Sequence, residues 1–229
     1  MKNVSCGFVD RLNSPEGFKA GHYPKPASLF IPSLCNLWIV FMRIIAGKYR
    51  GRRLKSPPSL QTRPTSDRLR ETLFNILAPR IRGARFLDLC AGSGAVGIEA
   101  PSRDAVHATF VDQSRKMCAL IEANLDEFGV DEDDSETVND EAAEFLRRRA
   151  KKEAPPFDIV FFDPPYEADY DVVLEHLSDK IGMLLAVDAI VVVEHHKKRE
   201  LAEEFGALHR YRTLKQGDSV LSFYERTAA

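Results

Sequence analysis

The chain has 229 residues, 44% of them hydrophobic, which is enough for one sizeable core with at most a small appendage. Its net charge of -2 conceals an asymmetry, because residues 42–85 contain twelve Lys and Arg against two acids. The four cysteines have no paired spacing, which argues against a disulfide framework or a zinc site. His195 and His196 adjoin each other without a second ligand cluster, so we expect no metal.

Residues 1–41 differ in composition from the rest of the chain. Four prolines among glycine, serine and asparagine predict little regular structure there. The apolar run 29–42 is short for a membrane span and contains Pro32 and Asn36. We therefore expect a functional protein that begins at Met42, with residues 1–41 as a non-native or dispensable extension. A membrane-surface anchor is the alternative.

Residues 42–82 are predicted to form a basic arm followed by a helix. Apolar and basic side chains alternate over 42–57 around two glycines, which favours a short hairpin or extended arm with a positive exposed side. Thr65 or Ser66 then suits the N-cap of a helix. Because the net charge of the whole chain is only -2, the residues after this basic segment must be acidic. A basic segment beside an acidic domain indicates a polyanionic partner, most simply nucleic acid. A solvated basic face without a partner is the alternative.

Residues 83–229 alternate between strand and helix patterns. Strands are predicted at 85–90, 106–112, near 137–139, at 157–163 and at 188–195, and the tail alternates around Gly217 and Asp218 like an antiparallel hairpin. Helices are predicted from Gly94 until Pro101 ends or kinks the pattern, at 114–128 and up to about Lys152. This order predicts an α/β fold with a mostly parallel sheet that binds ligands at the carboxyl ends of its strands.

The motif "DLCAGSGAVG", residues 88–97, places an acid and a glycine turn between the first strand and the first helix of that sheet. Gly92 and Gly94 permit close approach of a ligand to the backbone, although dinucleotide sites share this feature, and no Lys-Ser/Thr pair of a P-loop follows. Asp88 would repel a pyrophosphate but suits the cationic amino-acid part of S-adenosylmethionine. Asp112, at the end of the second strand, suits a ribose diol, and Asp140 suits an adenine amino group.

The motif "DIVFFDPPY", residues 158–166, ends a buried strand with an acid, two prolines and an aromatic ring. A carboxylate at Asp163 and a nearby carbonyl can accept hydrogen bonds from an exocyclic amine and turn its lone pair towards a methyl donor. Pro164 and Pro165 fix the backbone, and Tyr166 can stack on a base. A helix N-terminus with an acidic cap is the alternative.

Together with "MRIIAGKYRGRRL" (42–54) and "RPTSDRLRETLFNIL" (63–77), these motifs resemble the bacterial 16S rRNA (guanine(966)-N(2))-methyltransferase family, also called ribosomal RNA small subunit methyltransferase D. The resemblance runs from Met42 to about Arg226. It implies a Rossmann-like methyltransferase fold with a seven-stranded sheet, and methylation of a guanine 2-amino group in 16S rRNA of assembled small-subunit particles. The resemblance implies S-adenosylmethionine as the methyl donor. We also expect a monomer that works in the cytoplasm, without a membrane or a metal.

The resemblance assigns three groups of site residues. The catalytic group is Asp163, Pro164, Pro165 and Tyr166. The cofactor group is Asp88, Cys90, Ala91, Gly92, Ser93, Gly94, Asp112, Gln113, Asp140 and Glu141. The RNA-binding group is Arg50, Arg52, Arg53, Arg63, Arg68 and Arg70.

Three other functions stay open at this point. The same tetrapeptide suits adenine-N6 methylation of DNA or RNA. A protein-glutamine methyltransferase would present Asn at position 163 and lack the basic arm, and a non-catalytic RNA-binding factor would have no need for Asp88, Asp112 and Asp163 together.

Overall fold

The computed structural model describes residues 42–56 and 66–227, and a single sheet runs through them. Five strands are parallel and three at one edge are antiparallel, in the order β3-β2-β1-β4-β5-β8-β7-β6. The strands are β1 (Arg85–Leu89), β2 (His107–Asp112), β3 (Ser135–Asn139), β4 (Phe157–Phe162), β5 (Leu185–His196), β6 (Glu204–Phe205), β7 (Leu208–Gln216) and β8 (Ser219–Arg226).

Helices cover both faces of the sheet. They are α1 (Asp67–Ile81), α2 (Ala95–Ser102), α3 (Arg115–Phe128), α4 (Ala142–Arg149) and α5 (Tyr170–Asp179), with a single 3-10 turn at Glu132–Asp134. Within the described residues, none of them has the length and apolar character needed to cross a membrane.

The two faces follow from the alternation of side chains along the buried strands. Phe86 and Phe161 point towards α1 and α2, whereas Leu87 and Phe162 point towards α4 and α5. Because both faces are covered by helices, these strands read as continuous apolar runs in the sequence.

The predicted α/β class, the parallel strand order and the C-terminal hairpin are confirmed, but the strand count of seven is wrong for the described residues. The additional strand β6 has two residues and pairs with β7 through Phe205 and Leu208. A two-residue strand is too short to leave an alternating pattern, so it has no signal in the sequence. Strand β5 also begins at Leu185, three residues before its predicted start, because Leu185 pairs with Phe157 across a register shift.

The basic arm, residues 42–55, folds as the predicted short hairpin. An antiparallel bridge joins Arg43 to Arg53, and the N–H of Leu54 donates to the carbonyl of Met42 at 2.8 Å. Four of its apolar side chains are buried against α2, α3 and β2: Met42, Ile44, Tyr49 and Leu54. The arm is therefore part of the folded domain and contributes to its core.

A close backbone approach fixes the arm on the end of α2. Gly47 has a φ of +82°, and a Cβ there would lie 1.7 Å from the carbonyl oxygen of Ser102. The next residue, Lys48, donates its N–H to the same carbonyl at 2.8 Å. Only glycine satisfies both the backbone conformation and the contact.

The start of α1 and the end of α2 lie where the capping serine and the proline predicted them. Ser66 caps α1 by accepting the N–H of Leu69 at 3.2 Å, whereas Thr65 lies outside the described residues. Helix α2 ends at Ser102, directly after Pro101, and Asp104 adopts a φ of 68° at the corner that follows.

Candidate active site

The two chemical motifs meet because β1 and β4 are neighbours in the sheet. Leu89 and Phe162, the last residues of these strands, pair directly. The N–H of Asp163 donates to the carbonyl of Leu89 at 3.3 Å. The glycine turn after β1 and the tetrapeptide after β4 therefore begin side by side at the carboxyl edge of the sheet.

Three residues of the turn after β1 have left-handed backbones: Cys90, Gly92 and Gly94, with φ of 63°, 55° and 74°. A Cβ at Gly92 would have no protein atom within 4 Å, whereas one at Gly94 would meet Ile121 at 3.0 Å. Gly92 thus leaves the turn open on its outer side, while Gly94 permits close packing against α3.

Asp112, at the end of β2, supports this turn directly. One carboxylate oxygen accepts the N–H of Gly92 at 2.8 Å, and the other accepts the N–H of Ser114 at 2.8 Å. The half-buried side chain is therefore a structural part of the turn in addition to its predicted contact with a ribose. Gln113, the next residue, is exposed.

Asp88 lies beneath the turn. Its side chain is 2% exposed, and one carboxylate oxygen accepts the N–H of Gly97 in α2 at 2.8 Å. Burial raises the pKa of this carboxyl to about 7, with the Gly97 hydrogen bond opposing the shift and the charge of Asp112 adding to it. This placement puts Asp88 in the interior, away from the outer side of the turn where it was expected to line a ligand.

Acids surround the thiol of Cys90, which is half-buried at the start of the turn. Burial, followed by the charges of Asp112, Asp163, Asp88 and Glu141, raises the pKa of this thiol to about 12. Four acids from four separate segments of the chain, at or after the ends of β1, β2, β3 and β4, thus act on one thiol. Their combined field favours a cationic ligand beside the turn.

The acids after β3, Asp140 and Glu141, are held by contacts with α4 and with the end of β2. Asp140 pairs with Arg148 of α4, and its N–H donates to the carbonyl of Asp112 at 3.1 Å. Glu141 caps α4, where its carboxylate accepts two backbone N–H groups at 3.3 Å. The structure therefore brings both residues to the same edge as the glycine turn, with Asp140 held by an ion pair.

The tetrapeptide after β4 extends outwards from the sheet. Asp163 is half-buried and Pro164 is buried, whereas Pro165 and Tyr166 are exposed. The side chain of Tyr166 is 61% exposed, and its ring meets that of His196 edge-on with centroids 5.5 Å apart. A large aromatic ring that protrudes beside a carboxylate is available to stack on a planar ligand.

Tyr170 and Arg199 adjoin the tetrapeptide and are absent from the predicted site. The guanidinium of Arg199 lies 4.0 Å from the ring centroid of Tyr170 and donates to the carbonyl of Tyr166 at 3.3 Å. Tyr170 is fully buried, and burial followed by the charge of Asp163 raises its pKa to about 12, with Arg199 opposing the shift. The sequence feature that could have pointed to Arg199 is the run of basic residues 197–199 directly after the fifth strand.

The predicted RNA-binding arginines fall into different environments. Arg50, Arg53 and Arg68 are exposed. Arg52 is also exposed, but its guanidinium lies 4.4 Å from the ring centroid of Phe128 and donates to the Phe128 carbonyl at 3.2 Å. Arg63 lies outside the described residues.

Arg70 requires a correction, because the structure places it in the interior, where it cannot reach RNA. Its side chain is 0% exposed and donates to the carbonyl of Arg43 at 2.8 Å, the carbonyl of Ala95 at 3.3 Å and the carboxylate of Asp67 at 2.8 Å. A guanidinium with these partners joins the arm, α1 and α2. The sequence could not reveal this, since Arg70 stands among exposed arginines in a basic segment.

His195, for which the sequence predicts no metal, is buried in β5. Its Nε2 lies 2.9 Å from the hydroxyl of Ser222 in β8. Burial lowers the pKa of this imidazole. Among the described residues, no group of three or more His, Cys, Asp and Glu is arranged to hold a metal ion.

Comparison with known proteins covers nearly all of the described residues. The family model described as "Conserved hypothetical protein 95" matches residues 42–225. The Escherichia coli (strain K12) protein "Ribosomal RNA small subunit methyltransferase D" is 37% identical over 192 residues, which is 82% of this chain and 91% of that protein. The Bacillus subtilis (strain 168) protein "Putative rRNA methyltransferase YlbH" is 36% identical over 81% of this chain and 99% of that protein.

A solved structure has a similar fold. The structure described as "Putative methyltransferase yhhF from Escherichia coli" superposes with a TM-score of 0.71 at 35% identity, and the match covers 82% of this chain and 99% of that one. At this similarity the two chains share one fold.

Proposed function

The chain belongs to the conserved hypothetical protein 95 family, together with the ribosomal RNA small subunit methyltransferase D proteins, and on that premise we propose that it uses S-adenosylmethionine to methylate RNA of the small ribosomal subunit. The finer proposal is that the target is the exocyclic 2-amino group of a guanine in 16S rRNA, acted on in assembled small-subunit particles. The observation that supports the reaction type is the position of the Asp163–Tyr166 tetrapeptide beside the start of the open glycine turn, where the N–H of Asp163 donates to the carbonyl of Leu89.

The residues present fit the proposed methyl donor. The turn is open at Gly92, where no protein atom would oppose a Cβ within 4 Å, and it leads into the start of helix α2. The acids around Cys90 favour the positive charges of a sulfonium and an ammonium group. We propose that residues 90–94, Asp112, Gln113, Asp140 and Glu141 hold the donor, with Asp88 acting through the fold of the turn. When bound, S-adenosylmethionine supplies an electrophilic methyl group.

The chain's own residues would prepare the accepting amine. The carboxylate of Asp163 is half-buried at the edge where the turn begins, so it can accept a hydrogen bond from an exocyclic NH2 group. Pro164 is buried and Pro165 follows it, so the backbone that carries the neighbouring carbonyls has little freedom. The exposed ring of Tyr166 offers a surface on which the base stacks in a fixed orientation.

The partner proposed for this site is 16S rRNA within small-subunit particles. The name of the Escherichia coli relative supports the small-subunit RNA, and the guanine rests on the resemblance of the motifs. Because ribosomal particles are the proposed substrate, we propose that the reaction takes place in the cytoplasm. We also propose that the protein acts as a monomer, because all of the proposed site residues belong to one copy of the chain.

The test is methyl transfer from labelled S-adenosylmethionine to small-subunit particles isolated from a strain that lacks this methyltransferase. Digestion of the product to nucleosides separates N2-methylguanosine from N6-methyladenosine, and mapping then identifies the nucleotide. Labelled methyladenosine would replace guanine by adenine as the target, in agreement with the other function that the tetrapeptide suits. Particles that take up no label would contradict the proposed function.

Replacement of the acid in the tetrapeptide provides a second test. We expect Asp163→Asn to lower kcat by about 10²–10³-fold, because it removes a charged acceptor at the reacting amine. Affinity for the cofactor product, measured by calorimetry, should change little. Glu167→Gln is the matched control, since it neutralises an exposed acid in the same segment and should keep wild-type kcat. Equal activity of the two variants would remove Asp163 from the mechanism.

A further inference from the structure

The turn that follows β5 stands beside the tetrapeptide at the carboxyl edge of the sheet. Strands β4 and β5 are parallel neighbours, and Phe162 pairs with Val193. Strand β5 continues three residues further to His196, so residues 197–199 project above the edge at which Asp163 begins. The rings of His196 and Tyr166 meet there. Tyr166, His196, Lys198 and Arg199 together line one surface pocket.

Arg199 brings a positive charge to this pocket without a neutralising acid. Its side chain is half-buried between the carbonyl of Tyr166 and the ring of Tyr170, and both are uncharged partners. Within residues 42–56 and 66–227, no carboxylate lies at ion-pair distance from its guanidinium. A partly desolvated guanidinium with unused donors is a suitable group for an external phosphate.

The two lysines of this turn differ in their engagement. The ammonium of Lys197 pairs with the carboxylate of Asp218 at 2.8 Å, which directs it towards the turn between β7 and β8. Lys198 is exposed and lines the pocket with Tyr166, and its ammonium has no ion-pair partner in the described part of the chain. The charge of Lys198 is therefore available to an external anion, whereas the charge of Lys197 is neutralised by Asp218.

We propose that Lys198 and Arg199 bind the RNA backbone phosphates that flank the target nucleotide. A nucleotide whose base stacks on Tyr166 carries a phosphate on each side of its sugar, so anions must lie within one nucleotide's length of that ring. The cations of this turn are on the same pocket as Tyr166. The ring of His196 packs nearly perpendicular to that of Tyr166 and so helps to hold the stacking surface. This inference rests on the proposed function and adds a second RNA contact, separate from the basic arm.

The test compares two lysine variants in binding and turnover. Lys198→Ala removes the available charge, and Lys197→Ala is the matched control one residue away. Dissociation constants are measured at several salt concentrations with small-subunit particles from a strain that lacks this methyltransferase. We expect Lys198→Ala to raise Kd several-fold and to lower the slope of log K against log salt by about 0.7–1, with unchanged affinity for the cofactor product. Lys197→Ala should match the wild type.

Arg199 is tested by a pair of substitutions that separates its charge from its contacts. Arg199→Lys keeps the charge and should retain the wild-type salt slope. Arg199→Ala should lower the slope as Lys198→Ala does, and should also lower kcat because Tyr166 loses its carbonyl contact. If both positions leave the slope unchanged while the wild type transfers methyl groups to the particles, the phosphate-binding role of the turn is wrong and the proposed function stands. A wild-type protein that transfers no methyl group overturns both.

Discussion

The two basic regions of this protein, the arm at 42–55 with the start of α1 and the turn at 197–199, use their charges in different ways. In the first region, Arg70 is wholly buried, and Arg52 lies over Phe128 and binds its carbonyl. Lys55 pairs with Glu127 at 3.0 Å. In the second region, Lys198 and Arg199 lie beside Tyr166 without an ion-pair partner among the described residues. Several cations of the first region are therefore part of its structure, whereas in the second region only Lys197 has an ion-pair partner among the described residues.

The difference teaches that density of positive charge does not measure the capacity to bind an anion. Arg52 donates to two carbonyls from both of its terminal nitrogens and would have to give up one of these bonds to bind a phosphate through them, whereas Arg199 donates to one carbonyl and keeps other N–H donors for a phosphate. Residues of the first region that remain exposed, such as Arg50 and Arg68, keep this capacity. Three predictions distinguish cations that stabilise the fold from cations that remain available to bind RNA.

The largest expected effect is on stability, from Arg70→Met. This change removes hydrogen bonds to Arg43, Ala95 and Asp67 and leaves the buried carboxylate of Glu99 with less positive charge around it. We expect a loss of about 2–4 kcal/mol in the free energy of unfolding, measured by denaturant titration.

The matched control for that change is Arg68→Met, two residues earlier on the exposed side of α1. It should leave the unfolding midpoint close to that of the wild type. If instead Arg68→Met destabilises the protein and Arg70→Met does not, the division of the first region into structural and available cations is wrong.

A smaller effect should distinguish Arg52 from Arg50. Arg52→Gln loses the contact with the Phe128 ring and the bonds to carbonyls at the end of α3, so we expect a destabilisation of about 1 kcal/mol. Arg50→Gln should leave the unfolding midpoint unchanged and should lower the salt slope of particle binding by about 0.7–1. Thermal unfolding measures the change in stability of both variants, and binding titrations measure the change in salt slope. If Arg52→Gln changes the salt slope more than Arg50→Gln does, Arg52 is the residue that binds RNA.

The smallest expected effect is the coupling between the two regions. Arg50 in the arm and Lys198 in the turn have no contact partner in common among the described residues, so each should bind its own phosphate. The loss of binding free energy in the double variant Arg50→Gln, Lys198→Ala should equal the sum of the single losses within about 0.5 kcal/mol. A deviation well beyond that, measured in one salt concentration, would mean that the two regions share a single contact on the RNA.

Much of the fold and the position of the site could be predicted before the structure. The alternation of strand and helix patterns gave the parallel sheet, and Gly92, Gly94 and Asp163 followed strands whose carboxyl ends had to meet. Strand β6 and the role of Tyr170 were beyond prediction. Strand β6 is too short to show an alternating hydrophobic pattern. The role of Tyr170 depends on the stacking of Arg199, which comes from a distant segment of the chain.

The sequence by itself determined those features that depend on neighbouring residues: which side of each strand is apolar, where glycine permits a left-handed turn, and where Ser66 or Pro101 starts or ends a helix. Only the tertiary structure decided which charged groups are available. Arg70 contacts Ala95 and Lys197 contacts Asp218, partners 25 and 21 positions away along the chain. Whether a cation is neutralised depends on such distant partners, and they become neighbours only when the chain folds.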